Sequence, residues 1–98
     1  MVIAKKSIFI AKLNSIKSVV EKSSDKQKLD LIGTILANEF NKLLLEIGEE
    51  YPELKNSLPA KITSTGPFSE MNKADINYID LEIFTESVMS LLNLANNK

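Results

Sequence analysis

The sequence predicts an all-α fold: a small up-down bundle of three long helices, at about 4–22, 25–48 and 73–95, with a short helical turn near 50–58. Three observations predict it. Leu29, Ile32, Leu36, Phe40, Leu43 and Ile47 recur at steps of three and four, the period of a helix with one buried face. Ile35, Ala37 and Leu44 widen that face to roughly 200° of arc, about twice the stripe of an ordinary surface helix, so the segment needs cover from at least two neighbours. The chain also holds only three Gly and three Pro, too few for a linker-rich or disordered polymer. Its 98 residues, 44 % of them apolar, suffice for one core and a single domain over 1–98.

The first helix carries Phe9, Leu13, Ile16 and Val20 at i, i+4, i+7 and i+11, with Ile8 and Val19 on the flank. Its face is narrow, which marks an outer helix. Ser23-Ser24-Asp25 breaks it. Ser24 followed three residues later by Gln27 is a capping box, in which each side chain satisfies a backbone N–H of the other, and Asp25 suits the positive end of the helix dipole. Within the second helix Gly33 and Ala37 lie one turn apart, where small side chains admit a close neighbour, and Gly48 is the natural stop.

Beyond Gly48, Tyr51, Leu54 and Leu58 form the buried side of the short turn, with Pro52 near its start and Pro59 closing it. Residues 59–69 read as a loop. Asn72 is placed to cap the third helix, with Asp75 in its first turn and Leu81, Phe84, Val88, Leu91 and Ala95 as its stripe. Residues 75–84 are ambiguous: Ile79, Leu81 and Ile83 alternate with acids as in a strand, while Ile76, Ile79 and Ile83 also fit a helix. Helix is the preferred reading, with a kink near residue 80.

The missing residue types restrict the chemistry. Without Cys there is no disulfide, thiolate site or Cys nucleophile; without His the usual neutral-pH base and metal ligand are gone. All twelve basic residues are Lys, so the bidentate Arg fork for phosphate or guanine is absent, which argues against nucleic acid. An Arg-free chain rich in Lys, Asn and Ile is what an AT-rich, bacterial-type genome encodes. The net charge of −1 is uneven: seven Lys and two acids precede residue 29, five Lys and eleven acids follow. Residues 1–13 offer no apolar run long enough for a signal peptide or membrane span, so a cytoplasmic protein is expected.

Four clusters are candidates for function. Glu46, Glu49, Glu50 and Glu53 would share a helix end and could hold a cation, but Gly48 and Pro52 interrupt them and no His joins them, so metal binding ranks last. Asp75, Asp80, Glu82 and Glu86 read as an exposed polar face. Ser64-Thr65-Gly66-Pro67 could turn backbone N–H groups toward an anion, though no Lys-Ser/Thr follows as in a P-loop. Lys5, Lys6, Lys12 and Lys17 on the first helix could meet an anionic partner or a membrane surface, the latter ranking below a protein partner.

Leu31 and Leu45 fall on the back of the second helix, and Ile76, Ile79 and Ile83 on a side of the third separate from its stripe. These five residues are the candidate interface, and a homodimer is the expected cover. The expected function is therefore non-enzymatic, with no cofactor: a helical regulatory or interaction protein acting through protein–protein contacts. No motif points to a family. Small helical bundles of this length include bacteriocin immunity proteins, antitoxin-like inhibitors and phage or plasmid regulators, but size and helix count do not establish function. An immunity-like or membrane-peripheral role for the Lys-rich first helix is the alternative.

Overall fold

The computed structural model describes residues 5–66 and 69–95. The fold is mostly helical with one small sheet. Helix α1 (Lys5–Glu21) is followed by a single turn, α2 (Asp25–Lys28), strand β1 (Leu31–Gly33) and helix α3 (Thr34–Glu50). Two 3₁₀ segments, Pro52–Ser57 and Ser69–Met71, lie on the return path to strand β2 (Lys73–Asn77), which leads directly into helix α4 (Tyr78–Leu94). Ala4, the expected start of the first helix, and Pro67 of the hydroxyl loop lie outside the described residues.

The first helix matches its expected face: Phe9, Leu13, Ile16 and Val20 are its buried residues. It is not merely an outer helix, however. It touches both other long helices and packs along α4 more closely than along α3.

The second predicted helix is instead three elements. The Ser24–Gln27 box forms as read, the Ser24 hydroxyl accepting from the Gln27 amide at 3.2 Å and the Gln27 side chain accepting from the Ser24 amide at 3.1 Å. The helix it starts ends after one turn, because Asp30, Gly33 and Thr34 are weak helix formers and a strand partner is at hand. β1 pairs antiparallel with β2 through Leu31 opposite Asn77 and Gly33 opposite Lys73, with an irregular register between them. Thr34 N–H to Asn72 O (3.0 Å) and Tyr78 N–H to Asp30 O (3.2 Å) close the two ends. Ile32 and Ala74 point from this sheet into the core and are fully buried.

Two glycines and one asparagine therefore play parts other than those expected. Gly33 is an extended residue before α3 and permits no helix–helix approach. Gly48 does not stop α3, which runs on to Glu50; it is a buried helical residue against Leu58 and Lys55 of the 3₁₀ segment. Asn72 does not cap a helix. It sits at φ 58°, a left-handed conformation that Asn tolerates, and turns the chain into β2. The cap of α4 is Asn77, whose side chain accepts from the Asp80 amide at 2.9 Å. The ambiguity over residues 75–84 resolves into both structures, strand to Asn77 and helix from Tyr78.

Helix direction is fixed by cross-helix contacts. Lys5 meets Glu50 and Lys12 meets Glu46, while Lys6 meets Ala95 and Lys17 meets Glu86. Helix α1 thus runs antiparallel to both α3 and α4, and those two run the same way. The up-down order fails because the long return through residues 51–77 brings the chain back to the end where α3 began.

The core joins Phe40, Leu43, Leu44 and Ile47 of α3 to the α1 face and to Leu81, Val88 and Leu92 of α4. Tyr51, at the end of α3, is buried and meets the Phe9 ring edge-on with centroids 6.4 Å apart. Its neighbours Leu54 (buried) and Leu58 (half-buried) complete the predicted apolar side of the short turn. On α4 the fully buried polar residue Thr85 returns its hydroxyl to the Leu81 carbonyl at 2.7 Å. The core stripe of α4 is therefore Leu81, Thr85, Val88 and Leu92, one position round from the predicted Phe84 and Leu91, which are half-buried.

Candidate functional site

The four lysines proposed for an anionic partner all have partners within the chain. Lys5 Nζ lies 3.0 Å from Glu50, Lys12 3.8 Å from Glu46, and Lys17 3.2 Å from Glu86 and 3.9 Å from Glu21. Lys6 donates to the Ala95 carbonyl at 2.7 Å, placing a cation at the negative end of α4. The Glu86 carboxylate beside Lys17, through its hydrogen bond and its charge, holds the ammonium above its ordinary pKa. The opposite charges of the two ends of the sequence thus meet across the α1–α3 and α1–α4 seams. Each pair is solvent-exposed and individually weak.

The same contacts account for two members of the acidic group at the end of α3. Glu46 and Glu50 face α1, and among the described residues no three acidic side chains gather closely enough to hold a metal ion.

The hydroxyl loop does present N–H groups to an anion, and the anion is Asp75. One carboxylate oxygen accepts from the Thr63 hydroxyl, the Thr65 amide (3.0 Å) and the Thr65 hydroxyl (3.1 Å); the other accepts from the Gly66 amide at 2.8 Å. The Asp75 amide in turn donates to the Thr63 carbonyl at 2.9 Å. The Thr63 hydroxyl and the two amides hold the Asp75 carboxyl at a pKa of about 2, well under the usual carboxylate range. Sequence spacing showed Asp75 only as part of a polar face and of a helix's first turn; it is instead a residue of β2, and its donors lie on a separate loop upstream.

The candidate interface residues divide between sheet and helix. Leu31 and Ile76 are half-buried strand residues, not the backs of helices, and Ile76 packs against the core. Leu45, Ile79 and Ile83 remain on helices and are 65 %, 38 % and 55 % exposed. Leu29 and Ile35, expected within the buried stripe, are also exposed: Leu29 lies before the break at β1, and Ile35 sits in the first turn of α3, more than about 100° round the helix from Phe40 and Ile47.

Several concave surfaces flank α3, and two of them carry a substantial apolar floor. Between α1 and α3 lies a groove of about 360 Å³ over Ile16, Leu36 and Leu43, its rim carrying Lys12, Lys42, Glu39 and Glu46 in balance. On the opposite side a larger groove of about 750 Å³ separates α3 from the return segment. Leu44, Leu45, Gly48, Leu58 and Pro59 supply its apolar surface, and its charged residues are Lys42, Lys55, Lys61 and a single acid, Glu49. Asn41 fixes the far wall: its side chain donates to the Ile62 carbonyl and accepts from the Ile62 amide, both at 2.8 Å. Neither Lys55 nor Lys61 drew notice in the sequence, where nothing placed them beside Leu45.

Among the described residues no helix is long and apolar enough to cross a membrane. Compared with protein-family models, curated proteins and solved structures, the chain matches none.

Proposed function

We propose that this chain is a non-enzymatic interaction protein of the cytoplasm, a small helical bundle working through protein–protein contacts, with a second copy of itself as first partner. The observation behind this reading is the exposure of Leu45, Ile79 and Ile83, large aliphatic side chains on two stable helices, one of them set in an apolar groove. The ionisable groups support it from the other side. The lysines of α1 and the Asp75 carboxylate serve internal contacts. A role at an anionic membrane has less behind it, because all four candidate lysines would have to exchange an internal partner for lipid.

Sedimentation equilibrium from about 1 to 100 µM, the range of modest protein–protein affinities, tests the reading. A mass rising above one chain supports it. A single-chain mass throughout, together with salt-sensitive co-sedimentation on anionic vesicles, would replace it with the membrane role.

A further inference from the structure

We infer that the groove beside Leu45 is the seat for helix α4 of a second copy, which enters with Ile79 and Ile83. This deepens the interaction reading and rests on it.

The groove selects a partner by charge. Three of the four ionisable side chains around it are lysines, Lys42, Lys55 and Lys61, against Glu49 alone. An apolar floor inside a basic rim fits an amphipathic helix whose exposed apolar ridge is flanked by acids. The chain carries such a helix. From Tyr78 to Leu94, α4 has Asp80, Glu82 and Glu86 and no basic residue. At about 100° per residue, Ile79, Ile83, Ser90 and Leu94 fall within a narrow arc of α4, with Asp80 on one side and, on the other, Glu82 and Glu86, the latter already paired with Lys17 of α1. That ridge faces away from the core: Ile83 is 55 % and Leu94 83 % exposed, whereas Leu81, Val88 and Leu92 are buried.

The dimensions agree. The α3 side of the groove runs from Asn38 to Glu49, about 16 Å of helix, long enough to take Ile79 and Ile83, which span about 6 Å at the N-terminal end of α4. The α1–α3 groove fits this ridge less well, since its lysines and glutamates balance and give an acidic helix no preference. Groove and ridge are different surfaces of the chain, so each contact joins the groove of one copy to the ridge of the other.

That asymmetry supplies the test. Leu45→Glu spoils the groove and leaves α4 intact; Ile83→Lys spoils the ridge and leaves the groove intact. Both sites are exposed, and circular dichroism melts of the two variants check that each folds as the wild type does. Each variant alone should self-associate more than about tenfold more weakly than wild type. Mixed together, they should form a one-to-one pair by sedimentation velocity, because the α4 of one still meets the sound groove of the other. Lys61→Glu, which keeps every apolar contact, should weaken wild-type association and reduce its salt sensitivity.

Self-association unchanged in either apolar variant overturns this contact while leaving the interaction reading intact. So does a mixture that stays monomeric, the behaviour of a surface that pairs with its own copy. Wild type that remains one chain throughout removes the second copy as occupant, and with it the self-association on which the interaction reading relies.

Discussion

The Asp75 carboxylate accepts the Gly66 amide at 2.8 Å, and a Cβ built on Gly66 would lie 2.9 Å from the same carboxylate oxygen. The glycine is there for space, not for an unusual φ. Gly66→Ala must therefore push the carboxylate away from the Thr63–Thr65 donors or displace the loop. We expect it to lower the chemical denaturation midpoint; a midpoint at or above the wild-type value would show that the loop is not tied to β2 in this way.

Asp75 also sets a pH dependence. Its carboxyl titrates at about 2 in the folded chain, below its ordinary 3.8, so the folded state binds this proton more weakly than the unfolded state. The stabilisation it provides is complete above about pH 4 and is lost as pH falls toward 2. Asp75→Asn should be less stable than wild type at neutral pH, and the gap should narrow through that window. Urea titrations of both proteins at several pH values measure it, and a gap that stays constant from pH 6 to about 2 would exclude the titration.

Gly48→Ala should act in the opposite direction from Gly66→Ala. Gly48 is inside α3, and an added Cβ would meet Leu58 Cδ1 at 3.7 Å and Lys55 Cγ at 3.8 Å, ordinary contact distances. Helix propensity alone favours Ala by about 1 kcal/mol, and an increase of roughly 0.5–1 kcal/mol in unfolding free energy is expected. Destabilisation would mean that the 3₁₀ segment needs a closer approach than these distances show.

The two capped helices should respond unequally. Asn77 caps the 17-residue α4, and Asn77→Ala should cost about 1 kcal/mol. Ser24 has the more complete capping box but starts only the four-residue α2, so Ser24→Ala should fall near the low end, about 0.5 kcal/mol. Equal losses would indicate that α2 is coupled to the core more strongly than its exposed residues suggest.

What the sequence disclosed and what it concealed follow from the range of each interaction. The α1 stripe and the Ser24 box are local, set by residues three or four apart, and both were legible. β1 was not, because Leu31 finds its partner at Asn77, and apolar steps through Ile32 and Leu36 look helical until that partner is known. The wrong cap has a similar cause: Asn72 has the residue type of a helix cap, and only the strand that follows it moves the start of the helix to Asn77. At the candidate site, the exposure of Leu45, Ile79 and Ile83 was legible from periodicity. The lysines around Leu45 were not, since Lys55 and Lys61 reach the groove only through the fold of the return segment.

Position within α3 separates two residues that share one apolar stripe. Phe40 is fully buried at the centre of the core, so Phe40→Ala should cost roughly 3–5 kcal/mol. Leu36 is half-buried on the α1–α3 groove, where water can enter the space left behind, and Leu36→Ala should cost no more than about 2 kcal/mol. Comparable losses would place the groove inside the core.

Asn41 gives the sharpest test of how the far wall of the Leu45 groove is held. Its amide satisfies both backbone groups of Ile62, imitating the paired bonds of a β-ladder, and Ile62 itself is buried. Asn41→Ala removes both bonds and should destabilise by about 1–3 kcal/mol, since two partly buried peptide groups lose their partners. Asn41→Asp is the discriminating change. It keeps the shape and the acceptor for the Ile62 amide but sets an anion against the Ile62 carbonyl in place of a donor. It should therefore cost at least as much as Ala near neutral pH and recover in part when acid restores a proton to the new carboxyl. Hydrogen exchange at the Ile62 amide reports the wall directly: faster exchange is expected in Asn41→Ala, and unchanged protection there would show that something other than Asn41 holds the segment.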